Sequence, residues 1–193
     1  MTPVAKTYDI AVFGEAMLLL IADRPGPLEL AEAFTKRIAG AEINVATGLS
    51  RLGFNVHWAS RLGADSMGRY LVNQMRGEGV NCDHVTMDAA QRTGFQFKGR
   101  VDDGSDPAVE YHRKGSAASL MTPDDIDASW LAGARHLHAT GVFPAISATA
   151  LATARRTLQI ARDSGSTISF DPNMRPTLWP DEATMRREIN ALA

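Results

Sequence analysis

Residues Ile38 to Gly63 read IAGAEINVATGLSRLGFNVHWASRLG, and the punctuation of this stretch decides the fold class. Ala39-Gly40-Ala41 is a turn almost free of side chains, which lets backbone come close to a ligand. A helix is expected to start there, with Ala46, Leu49 and Leu52 recurring at helical spacing and Gly53 just past them as its cap. The chain then passes into a strand, Val56 to Ser60. A glycine loop at a helix start offers unpaired N–H groups to a polar ligand, and Glu42 and Asn44 add an acceptor and an amide beside them. The same residues equally describe an ordinary tight helix start with a polar first turn, and this stretch alone does not separate the two readings.

Working outward towards the N-terminus, Asp9 to Gly14 (DIAVFG) is a continuous apolar run ending in Gly14-Glu15, the pattern of a buried parallel strand. In an open α/β sheet, ligands collect at such carboxyl ends. Residues 25–37 open with Pro25-Gly26-Pro27, show no helical stripe and are expected to be extended. Ala16 to Ala22 is apolar but too short to span a bilayer, and it follows Asp9 and Glu15 instead of a basic segment, so neither a signal peptide nor a membrane span is expected.

Towards the C-terminus, Asp65 is expected to cap a helix with Met67, Leu71 and Met75 on one face, ended by Gly77 and Gly79. Gly77-x-Gly79 has part of the spacing of a dinucleotide loop, but it follows a helix and lacks the third glycine. From 93 to 114 alternation replaces the helical period. Phe95, Phe97 and Val101 oppose Gln96, Lys98 and Arg100, a polar turn follows at 102–107, and the returning strand Val109 to Arg113 puts Tyr111 and Arg113 on one face. Thr122-Pro123-Asp124-Asp125 is expected to open a further helix. From His136 the strand HLHATGVF leads to a helix with Leu151, Ala154, Leu158 and Ala161 on one face, closed by Gly165. The strand Thr167 to Phe170 then delivers Asp171-Pro172-Asn173-Met174-Arg175 at its carboxyl end. Asp181-Glu182 begins one more helix, and the chain is expected to reach Ala193 without a cap for it.

The 193 residues, 45% of them apolar, suffice for one good-sized domain. A formal net charge of -2 from dispersed charges carries no footprint of nucleic acid or of an anionic membrane. Cys82 is the only cysteine and lacks the neighbours of a zinc site or a CxxC pair, so a reducing, cytoplasmic setting and an inert packing thiol are expected. His136 and His138 share one strand face without a third ligand at useful spacing, and no protein-bound metal is expected. Met67 and Met75 are expected in the core. The whole reads as one α/β unit with β excursions at 25–37 and 93–114.

Taken together, the Gly-Glu strand end, AGAEINVA at 39–46, RLGxxxxG at Arg61 to Gly68, YHRKGSAAS at 111–119 and FDPNMRPTLW at 170–179 resemble the ribokinase-like sugar kinases, the PfkB carbohydrate kinase family. The resemblance covers essentially the whole chain, and within the family it is nearer to the 2-keto-3-deoxygluconate kinases. It implies a parallel sheet between helix layers with a small β lid, formed here by about 16–38 and 93–114. It also implies that Gly40, Ala41 and Asn44 hold sugar hydroxyls, that Tyr111, Arg113 and Arg175 bind the carboxylate and keto end, and that Gln96 lies nearby on the lid. ATP, with Mg2+ carried on the nucleotide, would phosphorylate the sugar acid to its 6-phosphate, and lid strands would pair between subunits of a homo-oligomer. Paired guanidinium groups suit a 2-keto acid on physical grounds too, since they give a carboxylate directional, charge-assisted bonds that lysine cannot copy.

The family's GAGD-type loop, with its phosphate cradle and aspartate base, has no counterpart in residues 1–193. The chain is therefore expected to be the N-terminal part of one kinase domain, with the substrate side present and no catalytic residue. The residues that hold the nucleotide are expected beyond Ala193. A neutral-sugar kinase of the same family and a non-catalytic sugar-acid-binding module stand as alternatives. Blander readings apply to single residues: Tyr111 and Arg113 as an exposed hairpin face, Arg175 as a turn group paired with Asp171.

Overall fold

The computed structural model describes residues 5–193. In chain order the elements are β1 (Tyr8–Phe13), β2 (Met17–Ala22), β3 (Phe34–Ala39), α1 (Ala41–Arg51), β4 (Val56–Gly63), α2 (Ser66–Gly77), β5 (Asn81–Asp88), β6 (Phe95–Lys98), β7 (Val109–His112), α3 (Ala128–Ala132), β8 (Ala134–Thr140), α4 (Ala148–Asp163), β9 (Thr167–Asp171) and α5 (Glu182–Leu192). Five strands form one parallel sheet in the order β5-β4-β1-β8-β9. The sheet grows from β1 in one direction and then, after the excursions, in the other, so β1 and β8 flank the switch point at which open α/β sheets bind ligands.

Alternation along β1 feeds two cores. Ile10 and Val12 join Ile43 and Ala46 of α1, Trp58 and Leu62 of β4, and Leu71 and Met75 of α2. Ala11 and Phe13 join Leu137 and Ala139 of β8, Leu131 of α3, and Leu158 and Ala161 of α4. Burial on both faces explains why β1 reads as an unbroken apolar run.

The excursions build a second, four-stranded sheet in the order β3-β2-β6-β7, antiparallel except for the parallel pair β2/β6. The apolar run at 16–22 is thus a strand of this small sheet, and among the described residues no helix is long and apolar enough to cross a membrane. Register sets Leu19 against Arg37 and Gln96, and Gln96 against Tyr111, placing these four on one face. The opposite face carries Phe34 and Phe97, 5.1 Å between centroids, and Phe95 stacked on His112 at 4.6 Å.

Several expectations are corrected. Thr122 does not start an α-helix: Pro123–Asp125 is a single 3-10 turn closed by a Thr122/Asp125 capping box, after which Ile126 turns extended and buries. Asp127 then caps the short α3. Of the expected face of α1, Ala46 is buried but Leu49 is half-buried and Leu52 76% exposed, and Glu42 and Ile43 are buried beside Ala46. Gly68 takes the buried place beside Leu71 while Met67 stays half-buried. Val101 lies past β6 and is exposed. At the end of α5 the Ala193 N–H donates to the Ile189 carbonyl at 3.1 Å. The sequence reading omitted β5 altogether, because NCDHVTMD is a sheet-edge strand with neither an apolar run nor alternation. Gly53 does close α1: its N–H reaches the Ser50 carbonyl and that of Phe54 reaches Leu49, the paired bonds of a Schellman motif.

Candidate functional site

A cavity of about 440 Å³ opens at the carboxyl ends of β1, β8 and β9, with the first turn of α1 on one side and the small sheet on the other. Gly40, Ala41, Asn44, Gln96, Tyr111, Arg113 and Arg175 all line it. Residues separated by more than a hundred positions meet here because both excursions leave the main sheet at its carboxyl edge and fold back over the switch point.

At the turn, the Gly40 carbonyl accepts the Asn44 N–H at 3.1 Å, the first bond of α1. A Cβ on Gly40 would lie 2.7 Å from the Glu15 carbonyl oxygen, so only glycine permits this approach of β1 to α1. Asn44 is exposed at the mouth.

Two acids stand in the cavity wall: Glu42, which the sequence offers as an acceptor beside the glycine turn, and Glu15, which the sequence shows only as the residue closing the first strand. Glu15, directly after β1, is 3% exposed and forms an ion pair with Arg113 Nη2 at the end of the β6/β7 hairpin. The Ser116 hydroxyl donates to Glu15 Oε1 at 3.4 Å. Burial pushes the Glu15 carboxyl up, and the Arg113 guanidinium opposes that shift. Glu42, in the first turn of α1, is 1% exposed and accepts a hydrogen bond from Thr140 Oγ1 at 2.7 Å. Burial pushes its carboxyl up to about 7, against the pull of the Thr140 hydroxyl and its own backbone N–H, and the Glu15 charge adds to the rise. Gly14 makes room for it: at φ 139 a Cβ there would meet Glu42 Cδ at 2.9 Å. Nothing in the sequence marks either acid as buried. The missed signal is their proximity to Gly14 and Gly40.

The remaining groups are open-ended. Arg113 Cζ sits 5.7 Å from the Tyr111 ring centroid. Gln96 Oε1 and Arg113 Nε are buried with no partner among the described residues, an uncompensated loss of about 1–3 kcal/mol each. Arg175 is exposed and donates only to the adjacent Met174 carbonyl, at 3.0 Å. It does not pair with Asp171, whose oxygens instead accept the backbone and side-chain N–H groups of Asn173. His136 Nε2 and His138 Nδ1 share the Ser169 hydroxyl, 2.8 Å from each ring. The cavity therefore presents two guanidinium groups, one of them paired with Glu15, a phenol, the amides of Asn44, Gln96 and Asn173 and a glycine turn, groups able to bond a polyhydroxylated anion.

Residues 7–193 match the description pfkB family carbohydrate kinase. The 2-dehydro-3-deoxygluconokinase of Bacillus subtilis (strain 168) is 43% identical over 186 residues, 96% of this chain and 57% of that protein. The chain thus spans about 57% of the length of the curated relatives it matches. Among solved structures, the PfkB protein from Polaromonas sp. JS666 superposes with a TM-score of 0.93 at 65% identity, over 96% of this chain and 63% of the other. An uncharacterized sugar kinase from Pyrococcus horikoshii in complex with ATP superposes with a TM-score of 0.86 at 29% identity, over 95% of this chain and 59% of that one. The match begins one residue before β1 and runs past the end of α5 to Ala193, so it is the whole described fold and not a shared motif that is held in common: the chain belongs to the pfkB family of carbohydrate kinases.

Proposed function

We propose that this chain supplies the sugar-acid side of an ATP-dependent kinase that phosphorylates 2-keto-3-deoxygluconate to its 6-phosphate. The observation that carries this reading is the convergence of Arg113 and Arg175 on one cavity with the Gly40 to Asn44 turn. Arg113 and Arg175 take the carboxylate, Tyr111 and Gln96 take the keto end, and the turn with Asn44 takes hydroxyls, leaving the primary hydroxyl for in-line attack on the γ-phosphate of MgATP. The 2-dehydro-3-deoxygluconokinase relative and the ATP-bound neighbour support the substrate and the donor respectively. The small sheet acts as a lid over the sugar, and its half-buried outer face of Phe34, Phe95 and Phe97 pairs with a second copy of the chain.

The test uses the protein expressed from its complete gene and follows ADP release with the keto acid, with ribose and with fructose. The keto acid is expected to give the highest kcat/KM, and Arg175→Ala to lower it by about 2–3 kcal/mol in transition-state terms through a raised KM. A preference for a neutral sugar that survives Arg175→Ala overturns the assignment.

A further inference from the structure

We propose that Glu42 takes part in binding the sugar acid as a neutral carboxylic acid, so that uptake of the anion is linked to one proton held on this side chain. The inference rests on the sugar-acid reading of the cavity and adds a binding residue to it. The ionisable groups lining the cavity are Glu15, Glu42, Tyr111, Arg113 and Arg175. Glu15, from the end of β1, is committed to Arg113 of the hairpin and balances its charge. Thr140 of β8 gives Glu42 one side-chain hydrogen bond but no charge, and Arg175 stands exposed on the loop after β9. An ionised Glu42 would thus be a second negative charge in a cavity with one internal cation, almost wholly out of water and repelling an incoming anion.

Protonation removes that repulsion and changes what the group can do. An ionised carboxylate only accepts, whereas the acid has an O–H to donate to a hydroxyl or carbonyl oxygen of the ligand. Thr140 already satisfies Oε1, so the proton belongs on Oε2. Burial holds this carboxyl at about 7, so both forms are populated around neutrality and the acid dominates below it. Because the group is raised, it loses its proton as pH climbs through about 7, and anion affinity falls in that direction. The ligand carboxylate stays ionised throughout.

Titration calorimetry of the protein from its complete gene with 2-keto-3-deoxygluconate, from about pH 5.5 to about 8.5 and in two buffers of different ionisation enthalpy, reads this directly. Wild type is expected to take up roughly half a proton per anion near pH 7, and its Kd to rise by up to about ten-fold per unit above that. Glu42→Gln keeps the size and the acceptor for Thr140, and its Kd is expected to be flat with no proton taken up. Zero proton uptake by wild type, or an unchanged pH slope in Glu42→Gln, overturns the inference while leaving the sugar-acid site standing. Failure of folded wild type to bind the keto acid at the acid end of the series, with fructose binding intact, overturns the sugar-acid reading instead.

Discussion

Arg113 sits where two demands meet: one nitrogen of its fork is committed to Glu15, and its Nε–H has no partner among the described residues. A lysine could keep the ion pair or reach the ligand, but its single point charge cannot do both with fixed geometry. Arg113→Lys is therefore expected to weaken keto-acid binding by about ten-fold or more while changing the melting temperature little, as read by calorimetry and by thermal unfolding. Equal affinity in the variant refutes this double role. Gly40 carries the opposite kind of constraint, purely steric. Gly40→Ala sets a methyl 2.7 Å from the Glu15 carbonyl, and an overpacking cost of about 1–3 kcal/mol is expected in denaturant unfolding. At this scale, the sequence made legible the residues whose chemistry follows a local period, such as Tyr111 and Arg113 on a two-residue repeat. Glu42 was legible as an acceptor beside the glycine turn, but its burial and that of Glu15 were not, because nothing local distinguishes a buried acid from a solvated one.

The elements with strong local punctuation were read correctly, and α2 shows why. Asp65 accepts the Gly68 N–H at 2.7 Å, and it also accepts the Thr93 N–H and hydroxyl at 2.8 and 2.9 Å. It thereby ties the helix start to the strand that leads into the hairpin. Burial works against its charge, but those bonds prevail and hold its carboxyl below the usual range. Asp65→Ala is expected to cost about 1–2 kcal/mol at neutral pH. Since a depressed acid stabilises only above its unfolded pKa, the gap between variant and wild type should close as pH falls below about 4. Urea titrations at neutral and acid pH check this, and a gap that persists in acid assigns the effect to shape instead of charge. Local punctuation failed where two signals compete within a few residues. Thr122 and Asp127 are both N-caps, and the one turn between them cannot become a helix once Ile126 is drawn into the core. It failed also at β5, whose place is set by pairing with β4 and not by its own residues.

At the scale of the molecule, two sheets face one cavity, and the links between them are few. The parallel sheet is covered on both faces, so its strands should open only with the whole domain. The small sheet has open edges at β3 and β7 and is joined to the rest of the domain through the Glu15–Arg113 pair, the bonds of Thr93 to Asp65 and Gly63, and Lys36 over the Tyr70 ring. A ligand held at once by Gln96 and Arg113 from the hairpin and by Arg175 from the loop after β9 would cross-link parts of the structure that do not otherwise brace each other. Hydrogen exchange offers the check. In the free protein, amides of β3 and β7 are expected to exchange well ahead of those in β1 and β8. Adding the keto acid at saturating concentration is expected to slow β6, β7 and residues 173–178 together, leaving β5 at the far edge unchanged. If protection rises at the loop alone, the small sheet does not close on the ligand, and its role as a lid fails even though the cavity is used. If protection rises everywhere equally, the ligand stabilises the domain only by mass action against global unfolding, and the coupling between hairpin and loop is not a property of this site.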